Sequence, residues 1–275
     1  MKTFKNLLVC LFSIAVIFSC KEDKKNQNED NNTTDIENKE EVTPEIKIQK
    51  LDDSPGYSDA ELVMNSPSNT TMKSGGEGDF NFTINNYTLG AQTESTNAKY
   101  LANSGKGQHI HFILNNQPYS AHYTGEFKKE IPEGVHHLVA FLSRSYHESV
   151  KNENSVVVKK FEVGNAPENT LGLDMDAPTL IYSRPKGTYV GKDTENLLLD
   201  FFVLNTTLSE TGNKVRATIN DKEFTITEWA PHVVRNLPMG EVKIKLELVD
   251  NKGKLIEGPF NSVTRTVVLK AEEAI

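Results

Sequence analysis

From Val242 to Leu248 the chain reads Val-Lys-Ile-Lys-Leu-Glu-Leu, apolar at every even position. Successive side chains leave a pleated strand on opposite sides, so this alternation predicts a strand with one buried face. Val215-Arg216-Ala217-Thr218-Ile219 and Phe224-Thr225-Ile226-Thr227 alternate in the same way. From about residue 60 to the C-terminus, apolar segments are short and rich in Val, Ile, Phe, Tyr and Thr. Gly, Pro, Asn or Asp separates them. No stretch keeps a helical period over several turns, so the pattern predicts strands and tight turns throughout.

The two halves echo each other. Residues 105 to 115, Gly-Lys-Gly-Gln-His-Ile-His-Phe-Ile-Leu-Asn, correspond to Gly212 to Asn220, with Gly107 matching Gly212 and Asn115 matching Asn220. Ile131-Pro132-Glu133-Gly134 corresponds, one residue slipped, to Leu237-Pro238-Met239-Gly240. Asp79 to Asn86 echoes Leu199 to Thr206. A duplication built from short strands predicts an all-β chain of two tandem immunoglobulin-like or fibronectin-like β-sandwiches, over residues 51–166 and 174–272. Their joint is expected in the polar, Pro-containing stretch from Gly164 to Pro178.

The clean alternation of the second half calibrates the first. Carried across, it turns Ile110, Phe112, Leu114, Tyr119, Ala121, His136, Leu138, Ala140 and Leu142 inward. It turns His109, His111, Ile113, Ser120, His122, His137, Val139 and Phe141 outward. Six of the seven histidines lie between His109 and His147, so imidazole is a feature of the first half. If Leu114 pairs with Tyr119 across a four-residue turn, His111 stands opposite His122, and directly opposed Cβ atoms lie about 4.5–5.5 Å apart.

Three readings of this mixed apolar and imidazole face stay open. It is a ligand platform made by His109, His111, Ile113, His122, His137, Val139 and Phe141, for a glycan, a peptide or another envelope protein. Alternatively, His109, His111 and His122 bind Zn or Cu, with Glu126 or Glu148 available as outer partners. Or the face packs against the second sandwich, with Val139 and Phe141 as joint core, and the protein is a structural scaffold. Trp229 and His232 read as a strand end and core filler. Tyr146-His147-Glu148-Ser149 holds a Ser, a His and a Glu, but neighbours along a chain do not make a triad. No nucleophile elbow, phosphate loop or zinc-protease helix is found, which predicts a protein that is not an enzyme.

The N-terminus adds an address. After Lys2 and Lys5, Leu7 to Ser19 is an apolar run too short to span a bilayer, as in a signal peptide. Ile17-Phe18-Ser19-Cys20 resembles a lipobox, so residues 1–19 are expected to be cleaved and Cys20 lipidated, giving a lipid anchor in the membrane. Residues 20–50, rich in Lys, Glu, Asp and Asn, are read as a disordered tether. Lys21-Glu22-Asp23 resembles a signal for display on the outer face of the outer membrane; facing the periplasm is the alternative. The only cysteines are Cys10 and Cys20, so the body has no disulfide and no thiolate ligand. A net charge of −8 leaves no basic stripe for nucleic acid.

His109-Ile110-His111-Phe112, followed by Pro132-Glu133-Gly134-Val135-His136, resembles the immunoglobulin-like domains of Bacteroidota surface lipoproteins. The resemblance spans roughly residues 60–165 and, more loosely, 178–270. It implies fold and surface location. Some such domains are described as phosphopeptide-binding, but a phosphate reader needs an arginine cluster, and the first half offers only Arg144.

Overall fold

The structure, a computed structural model, describes residues 44–272. Cys20, the leader and most of the expected tether lie outside the described residues. The first strand is β1 (Lys47–Lys50). The N-terminal sandwich follows as β2 (Glu61–Ser66), β3 (Thr71–Met72), β4 (Gly76–Asn85), β5 (His109–Leu114), β6 (Ser120–His122), β7 (Glu126–Ile131), β8 (Gly134–Ser143) and β9 (Val156–Val163). The C-terminal sandwich contains β10 (Thr179–Arg184), β11 (Thr188–Val190), β12 (Leu197–Leu204), β13 (Lys214–Ile219), β14 (Lys222–Ile226), β15 (His232–Arg235), β16 (Gly240–Val249) and β17 (Ser262–Lys270).

The sheets repeat one plan. The N-terminal half has sheets β2-β4-β7 and β3-β9-β8-β5-β6; the C-terminal half has β10-β12-β15 and β11-β17-β16-β13-β14. Matched residues do matched work. Asn115 takes a positive φ of 52°, its amide donates to the His137 carbonyl, and its side chain accepts from the His137 amide. Asn220 takes a φ of 43° and brackets Lys243 in the same way. Asparagine suits this corner because it tolerates the left-handed region and hydrogen-bonds locally.

Each sandwich has its own core. Ile110, Phe112, Leu138, Ala140 and Leu142 pack with Phe80, Phe82 and Phe161 in the first. Val215, Ala217, Ile219, Val242, Ile244, Leu246 and Leu248 pack with Leu199 and Phe201 in the second. The alternation in β5, β8, β13 and β16 therefore points its apolar sets inward, as the sequence predicts.

A third apolar cluster joins the halves. Ile113, Val139 and Phe141 are fully buried with Ile181, Phe202 and Phe260 of the second sandwich. The Phe141 and Phe202 ring centroids are 4.5 Å apart. This corrects the ligand-platform expectation: the outward face of β5 and β8 is covered by β10 and β12. A mixed face of this area excludes more water when capped by a second apolar face than when left open.

The tether ends earlier than expected. Lys47–Lys50 pairs antiparallel with His232–Arg235 and extends the sheet to β1-β15-β12-β10. The alternation Ile46-Lys47-Ile48 explains it, since both isoleucines pack on the C-terminal core. The chain thus docks on the second sandwich before it enters the first.

Candidate metal centre between the two sandwiches

The β5–β6 hairpin settles which histidines meet. Ile110 pairs with His122, His111 with Ala121 and Phe112 with Ser120. This is one residue away from the expected register, and a one-residue slip reverses every side chain of β6. His122 therefore faces the first sandwich, where its ring stacks on Phe127 at 3.4 Å. Tyr119, expected inward, instead stacks on His111 at 3.5 Å, and Ala121 joins the interdomain cluster. The cause lies in the turn. Asn115 and Asn116 both take positive φ, and the Gln117 amide donates to the Leu114 carbonyl, closing the loop one residue early. Asn116 is held there by the second sandwich, donating to the Leu180 and Phe260 carbonyls and accepting from the Tyr182 amide.

The third imidazole at the site is His147. Ligand nitrogens of His109, His111 and His147 lie within 4.8 Å of one another. His109 Nε2 is 2.9 Å from His111 Nε2 and 3.1 Å from His147 Nδ1. His147 sits at φ 72° in the turn after β8, its amide donating to the Arg144 carbonyl. That turn is pinned by the buried Arg144–Glu148 pair at 3.0 Å and by Tyr146, fully buried, whose hydroxyl donates to Ser54. The Tyr119 hydroxyl lies 3.2 Å from His147 Nδ1.

Counting protons shows what the arrangement favours. His109 Nδ1 donates to the Gly107 carbonyl at 2.8 Å, so its Nε2 carries a lone pair. Gly107 reaches that position at φ 82°, and a Cβ there would meet the Gly90 carbonyl at 2.4 Å. His111 Nδ1 lies 3.2 Å from Ser183 Oγ, a contact contributed by the second sandwich. One Nε2 lone pair thus faces two other ring nitrogens, more than a single acceptor site serves well. A cation among three lone pairs satisfies all of them. The two pairs that share His109 are 2.9 and 3.1 Å apart and would each subtend roughly 90–100° at an ion about 2.0–2.1 Å away, while the His111–His147 pair lies within 4.8 Å.

The rings are poised in the neutral form a metal needs. Burial pushes His109 down to about 4, partly opposed by the Gly107 carbonyl. Burial holds His111 well below the ordinary imidazole range, with His109 and His147 adding to the effect. Burial also lowers His147, as do the nearby Arg184 and Lys186 charges. His109 and His111 are fully buried, whereas His147 keeps some exposure.

The remaining candidates separate from this centre. His137 faces the joint and stacks on Phe260 at 5.6 Å. His136 is tied to Asn115 and the Pro132 carbonyl. Glu148 serves Arg144 and Ser54, and Glu126 bonds Asn81, so neither backs the histidines. Trp229 packs on Phe202 at the joint and donates to the Phe201 carbonyl. His147 was the residue sequence reasoning passed over. The signal was there in the run His109 to His147, but its membership depends on a turn closing over the end of β5.

No protein-family model matches the chain, and no curated protein matches it. Among solved structures it is similar to the fibronectin(III)-like modules of Clostridium thermocellum CbhA, at 12% identity over 76% of this chain and 94% of that one, TM-score 0.27. It is also similar to the two tandem V-type regions of the chitin-binding protein VCBP3, at 9% identity over 77% and 99%, TM-score 0.22. Domains 4 and 5 of the S-layer protein SbsC match at 11% identity over 77% and 98%, TM-score 0.21.

Proposed function

We propose that this chain is a lipid-anchored, non-catalytic envelope protein that binds a transition-metal ion at the joint of two β-sandwiches. Its ligands are His109, His111 and His147, and its anchor is the lipidated Cys20 on the cell surface. The observation that carries the reading is the convergence of three imidazoles, of which His109 and His111 have their outer nitrogens oriented by Gly107 and Ser183. Outer hydrogen bonds of this kind fix the tautomer and aim the ligand nitrogen.

Metal analysis of protein purified without a histidine tag tests it. The wild type and His122→Ala are expected to hold one Zn or Cu per chain, and His111→Ala and His147→Asn to hold none. Asparagine is chosen at 147 because it accepts the left-handed backbone there. Metal lost in His122→Ala but kept in His147→Asn would overturn the assignment.

A scaffold reading has its own support in the joint. Asp200, fully buried on β12, accepts from Ser149 and pairs with Lys151 of the first sandwich. Together with the shared apolar cluster, this fixes one sandwich against the other, as a structural subunit of an envelope complex would need. The two readings are compatible, since a metal at the joint would stiffen it further.

A further inference from the structure

The charge around the three histidines narrows the metal. Among the described residues, no carboxylate hydrogen-bonds the three imidazoles. The charges that reach them belong to Arg184 and Lys186. None of the ion pairs among the described residues includes Arg184, Lys186 or Arg265. Arg184 is buried and donates to the Tyr189 hydroxyl, and its Nε has no partner. Lys186 donates to the Tyr119 carbonyl at 2.7 Å, with its ammonium 3.9 Å from the Tyr119 ring centroid. Tyr119 in turn stacks on His111. The centre is therefore electropositive before any metal arrives.

We infer that the site takes copper in its cuprous state, a monocation, in preference to Zn2+; this rests on the metal-binding reading above. The cost of burying an ion grows as the square of its charge, so a dication costs about four times as much as a monocation of equal size. Neutral imidazoles return none of that charge, and Arg184 and Lys186 add repulsion that doubles for a dication. Coordination number points the same way. Zn2+ is almost always four-coordinate, with water or a fourth side chain completing three protein ligands. A closed-shell monocation is satisfied by three imidazoles, and His109, His111 and His147 are the three that meet among the described residues. Imidazole suits both copper and zinc, so charge makes the distinction: a buried site lined by Phe141 and Tyr119 disfavours the dication.

The test uses the full chain, free of tag and metal. Cu(I), supplied anaerobically with ascorbate, is competed against bicinchoninate, and Zn2+ against a chromophoric chelator. One Cu(I) per chain is expected, held at least 100-fold more tightly than Zn2+, with X-ray absorption showing three nitrogen ligands. Zn2+ held as tightly as Cu(I) would overturn the cuprous preference and leave the metal site standing. Retention of neither ion would overturn both. Lys186→Glu is expected to tighten Zn2+ about tenfold more than Cu(I), because a carboxylate offsets the dication more strongly. An unchanged ratio in Lys186→Glu, with its melting temperature preserved, would remove the charge argument.

Discussion

At the scale of single residues, burial decides what the histidines do. His137 stacks on Phe260, its Nδ1 lacks a hydrogen-bond partner, and burial pushes it down to about 4. His122, on Phe127, is lowered to about 4 by burial, with Lys129 adding to it. In the unfolded chain both titrate near the ordinary value of about 6.5. Between there and about 4 the unfolded state binds more protons, so stability is full above the upper value and falls as pH drops through this window. The melting temperature of metal-free protein is therefore expected to decline from pH 7 to pH 4.5. His137→Phe, which keeps a ring on Phe260 and removes one titrating group, should make that decline shallower. An equal or steeper decline in the variant would show that His137 does not contribute to it.

At the scale of elements, a strand's face follows from alternation but its neighbour depends on the turn. The parity of β5 and β8 was legible because Ile110-His111-Phe112 and Leu138-Val139-Ala140-Phe141 share one period with the second half. The facing of β6 was not, because the Asn115–Asn116 turn closes one residue earlier than assumed. β1 was hidden for another reason: two isoleucines in a charged segment are too few to reveal a strand without the edge they join. β15 lies between β1 and β12, so removing β1 exposes its outer edge. A chain beginning at Leu51 is expected to melt lower than one beginning at Pro44, with faster hydrogen exchange across His232–Arg235. Unchanged exchange there would mean that β1 is dispensable.

At the scale of the whole molecule, the two sandwiches behave as one body because their joint is built like a core. Phe141, Val139 and Ile113 meet Ile181, Phe202 and Phe260, while across the joint Asn116 donates to the Phe260 carbonyl and Arg265 donates to the Asn116 carbonyl. A second small cluster of Leu101, Tyr146, Leu198 and Val233 lies under the entering chain at Leu51. Asp200 is fully buried, and Lys151 is only 14% exposed at its side chain. Removing one partner of a buried pair leaves the other charge uncompensated, which typically costs about 3–5 kcal/mol. Asp200→Ala is expected to lower unfolding stability by about that amount, measured by denaturant titration. A loss below about 1 kcal/mol, the range of exposed pairs, would show that this pair does not lock the joint.

The sequence by itself determined the all-β class, the doubled plan and the inward set of the long strands, because strand period is a property of local covalent geometry. It also placed His109 and His111 side by side on one face. Only the tertiary structure decided that this face is closed by the second sandwich, that His122 turns away, and that His147 arrives from a turn. Those outcomes depend on register and on surfaces meeting across about seventy residues of chain, as His111 and Ser183 do. No local pattern carries that information, because the contact energy belongs to the pair and not to either segment.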